Sequence, residues 1–257
     1  MKPRAGTVEL HPLAGIGEVQ PGDDLAEILA AAMSMAGIVP RAQDILVVTS
    51  KIVSKAEGRF FDLADVSPGQ EALRLAELTL KDPRMVELVL AESVAVVRAA
   101  PGVLITRHRC GYVMANAGID RSNLGGVGDD QVLLLPENAD ASAARLRRDL
   151  AGQFPEPPAV VISDSFGRPW RIGVVNVAIG ASGLPAVIDM RGQRDRDDRV
   201  LQVTQVALGD IAATAAGLVT GEGDEGVPAA LVRGVSWSGD EAPASALVRP
   251  VEQDLFR

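Results

Sequence analysis

The sequence predicts an α+β fold in which strands and helices interleave irregularly. Three observations carry that prediction. Segments with helical spacing of apolar residues alternate with short continuous apolar runs. Several of those runs follow one another with no helix between them, which disfavours a regular parallel barrel. Hydrophobic residues make up 47% of the 257 and aromatics only 3%, so a core can form, and Val, Leu, Ile and Ala must build it.

The first helix reads from "GDDLAEILAAAMSMAG". Asp23 or Asp24 can cap it, Leu25, Ile28, Leu29 and Ala32 share a face, and Gly37 ends it. A buried strand follows at Ile45–Val48, with Thr49, Ser50 and Lys51 directly after it. "GQEALRLAELTL" and "DPRMVELVLAESVAVV" read as two helices, the second capped by Asp82 with Pro83 at its first position. "GVLITRHRCGYVMANAGID" has strand composition on both sides of a turn, and "VLLLP" is a further apolar run. "NADASAARLRRDLAGQF" is a helix with Asn138 or Asp140 as cap. "PPAVVISDS" is a buried strand, and "GVVNVAIGASGLPAVID" is strand-rich. "RVLQVTQVALGDIAATAAGLVTG" passes from strand-like alternation into a helix of small residues, and "VPAALVRG" closes as a strand. There is no repeat and no low-complexity linker, and the length suits one large domain or two small ones. The loosest stretches are "LGGVGDD", from Leu124 to Asp130, and the tail after Gly239.

The composition excludes several classes of function. Net charge is −9 with no basic run, which argues against nucleic acid. No charge-free apolar stretch is long enough to span a membrane, and the N-terminus has no secretory pattern, so a cytoplasmic protein is expected. The single cysteine, Cys110, excludes an internal disulfide and reads as a small buried filler. The only histidines are His11 and His108, neither in a recognisable catalytic motif, and His108 reads as a surface or strand-end residue. The chemistry is left to carboxylates, lysines, arginines and a metal.

Five polar clusters sit where apolar runs end: "TSKIVSK", "NAGIDRSN", "SDSFGRPWR", "RGQRDRDDR" and "TGEGDEG". Strand ends opening into polar loops are where sites form in such folds. "TGEGDEG" fits G-x-G-x-x-G, but it follows a helix and precedes a strand, the reverse of a dinucleotide site. Glu222, Asp224 and Glu225 would repel a pyrophosphate unless a cation lay between; a flexible acidic turn is the alternative. "NAGIDRSN" offers Asp120 and Asn123, and equally reads as a turn. In "SDSFGRPWR", Asp164 ends a buried strand as a rigid carboxylate suited to a hard cation, or simply as a turn residue. Arg168 and Arg171 can pair with an anion. Ser50, Lys51 and Lys55 lie beyond a strand, where lysines can meet phosphates, although no P-loop is present. "RDRDDR" is most simply a solvated loop. Asp120, Asp164 and Glu222, set among these cations, suggest a metal–phosphate site.

Taken in order, "GDD" (Gly22–Asp24), "SKIVSKAEGR" (Ser50–Arg59), "NAGIDRSN" (Asn116–Asn123), "LLLPENAD" (Leu133–Asp140), "SDSFGRPWRIGVVNVAIGASG" (Ser163–Gly183) and "GEGDEGVPAALVRG" (Gly221–Gly234) resemble the coenzyme F-420-0:L-glutamate ligases, or γ-glutamyl ligases. The resemblance covers roughly residues 8 to 235. It implies the γ-glutamyl ligase-like fold as one ligase domain over residues 1–257, a homodimer, and GTP-dependent addition of L-glutamate to coenzyme F-420-0 and its oligoglutamate tail through an acyl phosphate. It implies two divalent metals, Mg2+ or Mn2+, with K+ as a further candidate ion. Asp120 and Asp164 would hold one metal, and Ser165 and Glu222 the other. Asp164 and Lys55 would be catalytic. GTP would meet Ile16, Gly17, Glu18, Val19, Ser50, Lys51, Lys55 and Asn123, and the loop Thr220, Gly221, Glu222, Gly223, Asp224, Glu225, Gly226 and Val227. Family members often carry Leu-Pro-hydrophobic where this chain has "GIGEV", which leaves the contact to the base open there. Arg168 and Arg171 are assigned to the acceptor on charge alone. The nitroreductase-like domain that some relatives carry at the C-terminus is not expected here. Two other readings stay open: an amide ligase with a different acceptor, and a nucleotide-binding module without catalysis.

Overall fold

The computed structural model describes residues 6–122 and 130–254. In chain order the elements are β1 (Glu9–Pro12), α1 (Leu25–Met35), β2 (Ile45–Thr49), α2 (Ser50–Ala56), β3 (Phe60–Asp62), α3 (Gln70–Thr79), α4 (Pro83–Ala91), β4 (Ser93–Ala100), β5 (Val103–His108), β6 (Val113–Ala115), β7 (Gln131–Leu133), α5 (Ala139–Leu150), β8 (Ala159–Arg168), β9 (Arg171–Ser182), β10 (Ile188–Asp189), β11 (Gln205–Val206), α6 (Leu208–Thr220) and β12 (Ala229–Arg233). This is the mixed α+β organisation the sequence predicts.

The main sheet runs β1-β12-β2-β8-β9. Its strands pair antiparallel except for β2 and β8, which run parallel with Ile45 opposite Ala159 and Thr49 opposite Ser163. That pair brings the C-terminal ends of β2 and of the apolar half of β8 side by side. Alternate residues of the central strands face opposite layers. Leu46, Val48, Val160 and Ile162 pack with α1 and α5, whereas Ile45, Val47 and Val161 pack with α6. A three-stranded sheet, β4-β5-β6, lies with α3 and α4 over a third apolar cluster that includes Leu63, Leu75, Val86 and Leu104.

The helix caps follow the sequence. Asp24 accepts from the N–H groups of Ala26 and Glu27, Asp82 from that of Arg84, and Asn138 from that of Ala141.

Five expectations need correction. The helix predicted across "DPRMVELVLAESVAVV" stops at Ala91, and Ser93–Ala100 is a strand, as its β-branched valines favour. "TSKIVSK" is no loop: Ser50–Ala56 forms α2 immediately after β2. Asp164 does not end its strand, because β8 continues to Arg168 and turns through Pro169 and Trp170 into β9, with Asp164 opposite Val177. Cys110 is partly exposed rather than a buried filler, while His108 does end β5, one of the two places the sequence allows it, with its side chain buried. The tail after Gly239 is tied down: Ala244 is fully buried and its N–H donates to Asp140. Residues 124–129 of the other loose stretch lie outside the described residues, while Asp130 pairs with Arg84. No described helix is long and apolar enough to cross a membrane.

Candidate active site

A cleft of about 780 Å³ opens where β2, α2, β8 and the loop after α6 meet. Its wall contains Ile16, Gly17, Glu18 and Val19, the α2 residues Ser50, Lys51 and Lys55, and Asp120, Asp164 and Ser165, as well as the whole stretch Thr220–Val227. Five segments widely separated in sequence thus converge. The parallel pairing of β2 with β8 accounts for much of this, since it sets the first turn of α2 beside the middle of β8.

Ser50 Oγ donates to Asp164 Oδ1 at 2.7 Å. Burial, reinforced by the charge of nearby Asp120, pushes the Asp164 carboxyl up to about 6, against Ser50, the Ser165 N–H and Lys51. Asp120 goes the other way. Burial would raise it, but Lys51 Nζ at 2.7 Å and the N–H and Oγ of Ser122, each at 2.8 Å, hold it below the usual carboxylate range. Lys51 also donates to the Ser122 carbonyl at 3.1 Å. Lys55 is only 4% exposed as a residue and is ion-paired with Glu18, which joins α2 to the segment after β1.

On the other side, Ser165 Oγ lies 2.7 Å from Glu222 Oε2. Glu222 belongs to the loop that follows α6. Gly221 caps that helix at φ +71°, where a Cβ would meet the Glu225 carboxylate. Glu225 folds back and accepts from the Gly223 N–H at 2.8 Å, so one of the loop's backbone donors is already engaged. Thr220 Oγ1 is buried at the cleft edge with no hydrogen-bond partner among the described residues.

The donor set suits a hard divalent cation. It consists of carboxylate and hydroxyl oxygens in two adjacent groups, Asp120 with Asp164 and Ser165 with Glu222. Among the described residues no three His, Cys, Asp or Glu side chains cluster as a complete cage.

The profile of the F-420-0:gamma-glutamyl ligase family matches residues 15–234. This chain belongs to that family. It is 44% identical to the coenzyme F-420:L-glutamate ligase of Methanopyrus kandleri over 98% of both chains. It is 41% identical to that of Methanothermobacter thermautotrophicus, over 97% of this chain and 99% of the relative. With the enzyme of Halorubrum lacusprofundi it shares 44% identity over 97% of this chain and 96% of the relative. As a member of this ligase family, it is a C–N bond-forming enzyme.

The γ-glutamyl ligase motifs map unevenly onto the cleft. The residues assigned to nucleotide and metal from the sequence line it, with one exception: Asn123 lies outside the described residues. Arg168 and Arg171 do not line it. They stand at the turn of the β8–β9 hairpin, where Arg168 donates to the Ile172 carbonyl at 3.2 Å. Among the wall residues given no role from the sequence, Ser122 and Asn176 matter most. Ser122 is a turn residue whose role appears only through Asp120 and Lys51. Asn176 is the one polar side chain within "GVVNVAIG", and that break in an apolar strand was its signal.

Proposed function

We propose that this chain joins L-glutamate to coenzyme F-420-0 at the expense of GTP and extends the γ-linked glutamate tail. The observation that carries this reading is the convergence of paired hard oxygen donors and two lysines in one cleft of a γ-glutamyl ligase-family protein. Free carboxylates are poor electrophiles, so amide formation requires activation. The acceptor carboxylate attacks the γ-phosphorus of GTP, GDP leaves, and an acyl phosphate forms. The glutamate α-amine then attacks the acyl carbon and expels phosphate. Later rounds use the γ-carboxylate of the growing tail.

In this proposal the nucleotide contacts are Ile16–Val19, Ser50, Lys51, Lys55, Asn123 and the loop from Thr220 to Val227. Lys51 and Lys55 offset phosphate charge. Asp120 and Asp164 hold one divalent ion and Ser165 and Glu222 a second, Mg2+ or Mn2+. Such ions stabilise the charge spread over the transferred phosphoryl group. K+ is the additional ion of this proposal. Arg168 and Arg171 meet the anionic acceptor. A cytoplasmic homodimer is the working unit; its support is the hairpin end, where Trp170 is 81% exposed and Ile172 wholly so.

The deciding experiment is incubation with GTP, Mn2+, glutamate and unglutamylated coenzyme F-420-0, followed by mass spectrometry. Successive glutamyl increments on the deazaflavin are expected. GTP consumed with glutamate placed on another acceptor would overturn the substrate assignment. No turnover with any acceptor would reduce the protein to a nucleotide-binding module.

A further inference from the structure

Ser165 lies opposite Asn176 in the β8–β9 register. Its Oγ is 2.7 Å from Glu222 Oε2 and 3.1 Å from Asn176 Oδ1. A hydroxyl carries one hydrogen, so Ser165 can donate to only one of these acceptors at a time. The carboxylate is the stronger acceptor when nothing competes for its lone pairs. A cation shared by Ser165 Oγ and Glu222 changes that preference. Both oxygens must turn lone pairs to the ion, and the hydroxyl hydrogen must point elsewhere. Asn176 Oδ1 is the acceptor already within reach.

The surroundings fix Asn176 for this task. The residue is 7% exposed, and its backbone carbonyl accepts from Thr214 Oγ1 at 2.7 Å. Helix α6 leaves room for the amide only because residue 217 is glycine. A Cβ there would lie 2.9 Å from Asn176 Nδ2 and 3.3 Å from its Cγ. Thr220, one turn further along α6, adds a hydroxyl with no hydrogen-bond partner among the described residues, and it lines the same cleft.

We infer that Asn176 is a positioning residue: it takes the Ser165 hydroxyl hydrogen and so frees the Ser165 and Glu222 oxygens for a divalent ion. The inference rests on the proposed assignment of Ser165 and Glu222 to such an ion. Outer partners of this kind typically contribute about 10- to 100-fold in metal affinity.

The test is Mn2+ titration of the full chain, read by the electron paramagnetic resonance signal of free Mn2+, with no turnover required. Asn176→Ala should weaken one Mn2+ equivalent by about 10- to 100-fold. Asn176→Asp, which keeps an acceptor in place, should restore it to wild-type strength or better. A purely structural role predicts instead that both variants shift thermal stability without separating in Mn2+ affinity. Wild-type affinity in Asn176→Ala, or equal weakness in Asn176→Asp, overturns the inference. Ser165→Ala distinguishes the two levels. If it weakens Mn2+ and Asn176→Ala does not, only the role of Asn176 falls; if Ser165→Ala changes nothing, the ion assignment falls and this inference with it.

Discussion

Ser50 Oγ and Asp164 Oδ1, 114 residues apart in sequence, are joined by a 2.7 Å hydrogen bond that ties the first turn of α2 to the middle of β8. The bond aims a carboxylate into the cleft that burial alone would disfavour. Asp164→Asn tests what that carboxylate is for. An amide can still accept from Ser50 but binds a divalent cation poorly. Activity should fall by roughly 100-fold or more, the scale seen when a charge-stabilising group is removed. The fold should survive. A carboxyl raised to about 6 by burial costs stability when ionised at neutral pH, and the neutral amide removes that cost. Wild-type glutamate ligation by the purified, folded variant would sink the metal assignment.

Lys55 makes a separable prediction. Its side chain is 5% exposed, while that of its partner Glu18 is 46% exposed. In Lys55→Met, Glu18 can rehydrate, so loss of this ion pair should by itself cost little stability. Losing a charged contact to phosphate is worth about 1.5–3 kcal/mol, or roughly 10- to 100-fold in nucleotide affinity. Calorimetric titration with a non-hydrolysable GTP analogue measures it. An unchanged dissociation constant would remove Lys55 from the nucleotide site.

Much of this site was legible because its residues stand in short polar stretches at the ends of apolar runs. Asp120, Asp164 and Glu222 stand out as acids beside Gly, Ser and Asn, but each also reads as a turn residue until the order of the motifs is set against the ligase family. What sequence could not supply was the partnering. The lysines of "TSKIVSK" are carried on α2, which begins with no intervening loop, and a seven-residue helix gives too little periodicity to declare itself. Asp164 looks like a strand end because the apolar run stops there, but β9 pairs with polar β8 residues as readily as with apolar ones through backbone bonds. The valines of β4 were drawn into the preceding helix by spacing alone, although their β-branching pointed to a strand. Asn176 acquires meaning only through Ser165 across the strand pair and Gly217 on another helix.

Away from the cleft, Arg233 and Asp44 form an ion pair that fastens the end of β12 to the start of β2 in the main sheet. Arg233 donates from its terminal nitrogen to Asp44 Oδ2 at 2.6 Å and to the Val39 carbonyl at 2.8 Å. Asp44 is 2% exposed and also accepts from the Arg41 N–H at 2.9 Å. Arg233→Met would leave that carboxylate buried without its cation, at a cost of about 3–5 kcal/mol. Urea unfolding should show the loss in the midpoint, and the double variant Arg233→Met with Asp44→Asn should recover part of it. A single-variant loss below about 1 kcal/mol, the level of an exposed pair, would show that the pair is not buried in solution.

The pH dependence of stability should carry the mark of Glu92. His108, with Nε2 3.4 Å from the Glu92 carboxylate, holds it below the ordinary glutamate range; burial opposes this, and Arg109 and Arg59, each at 3.3 Å, reinforce it. A depressed carboxyl contributes stability that is fully present above its unfolded pKa, about 4.3, and is lost as the pH falls through its lower folded value. Glu92→Gln should therefore be less stable than wild type at pH 7, by roughly 1–3 kcal/mol for a largely buried charged contact. The gap should narrow steadily below about pH 4.3 as the wild type loses what the variant never had. Parallel denaturation curves between pH 3 and pH 7 measure the difference. A gap that stayed constant across that range would mean that Glu92 acts by packing and not by charge.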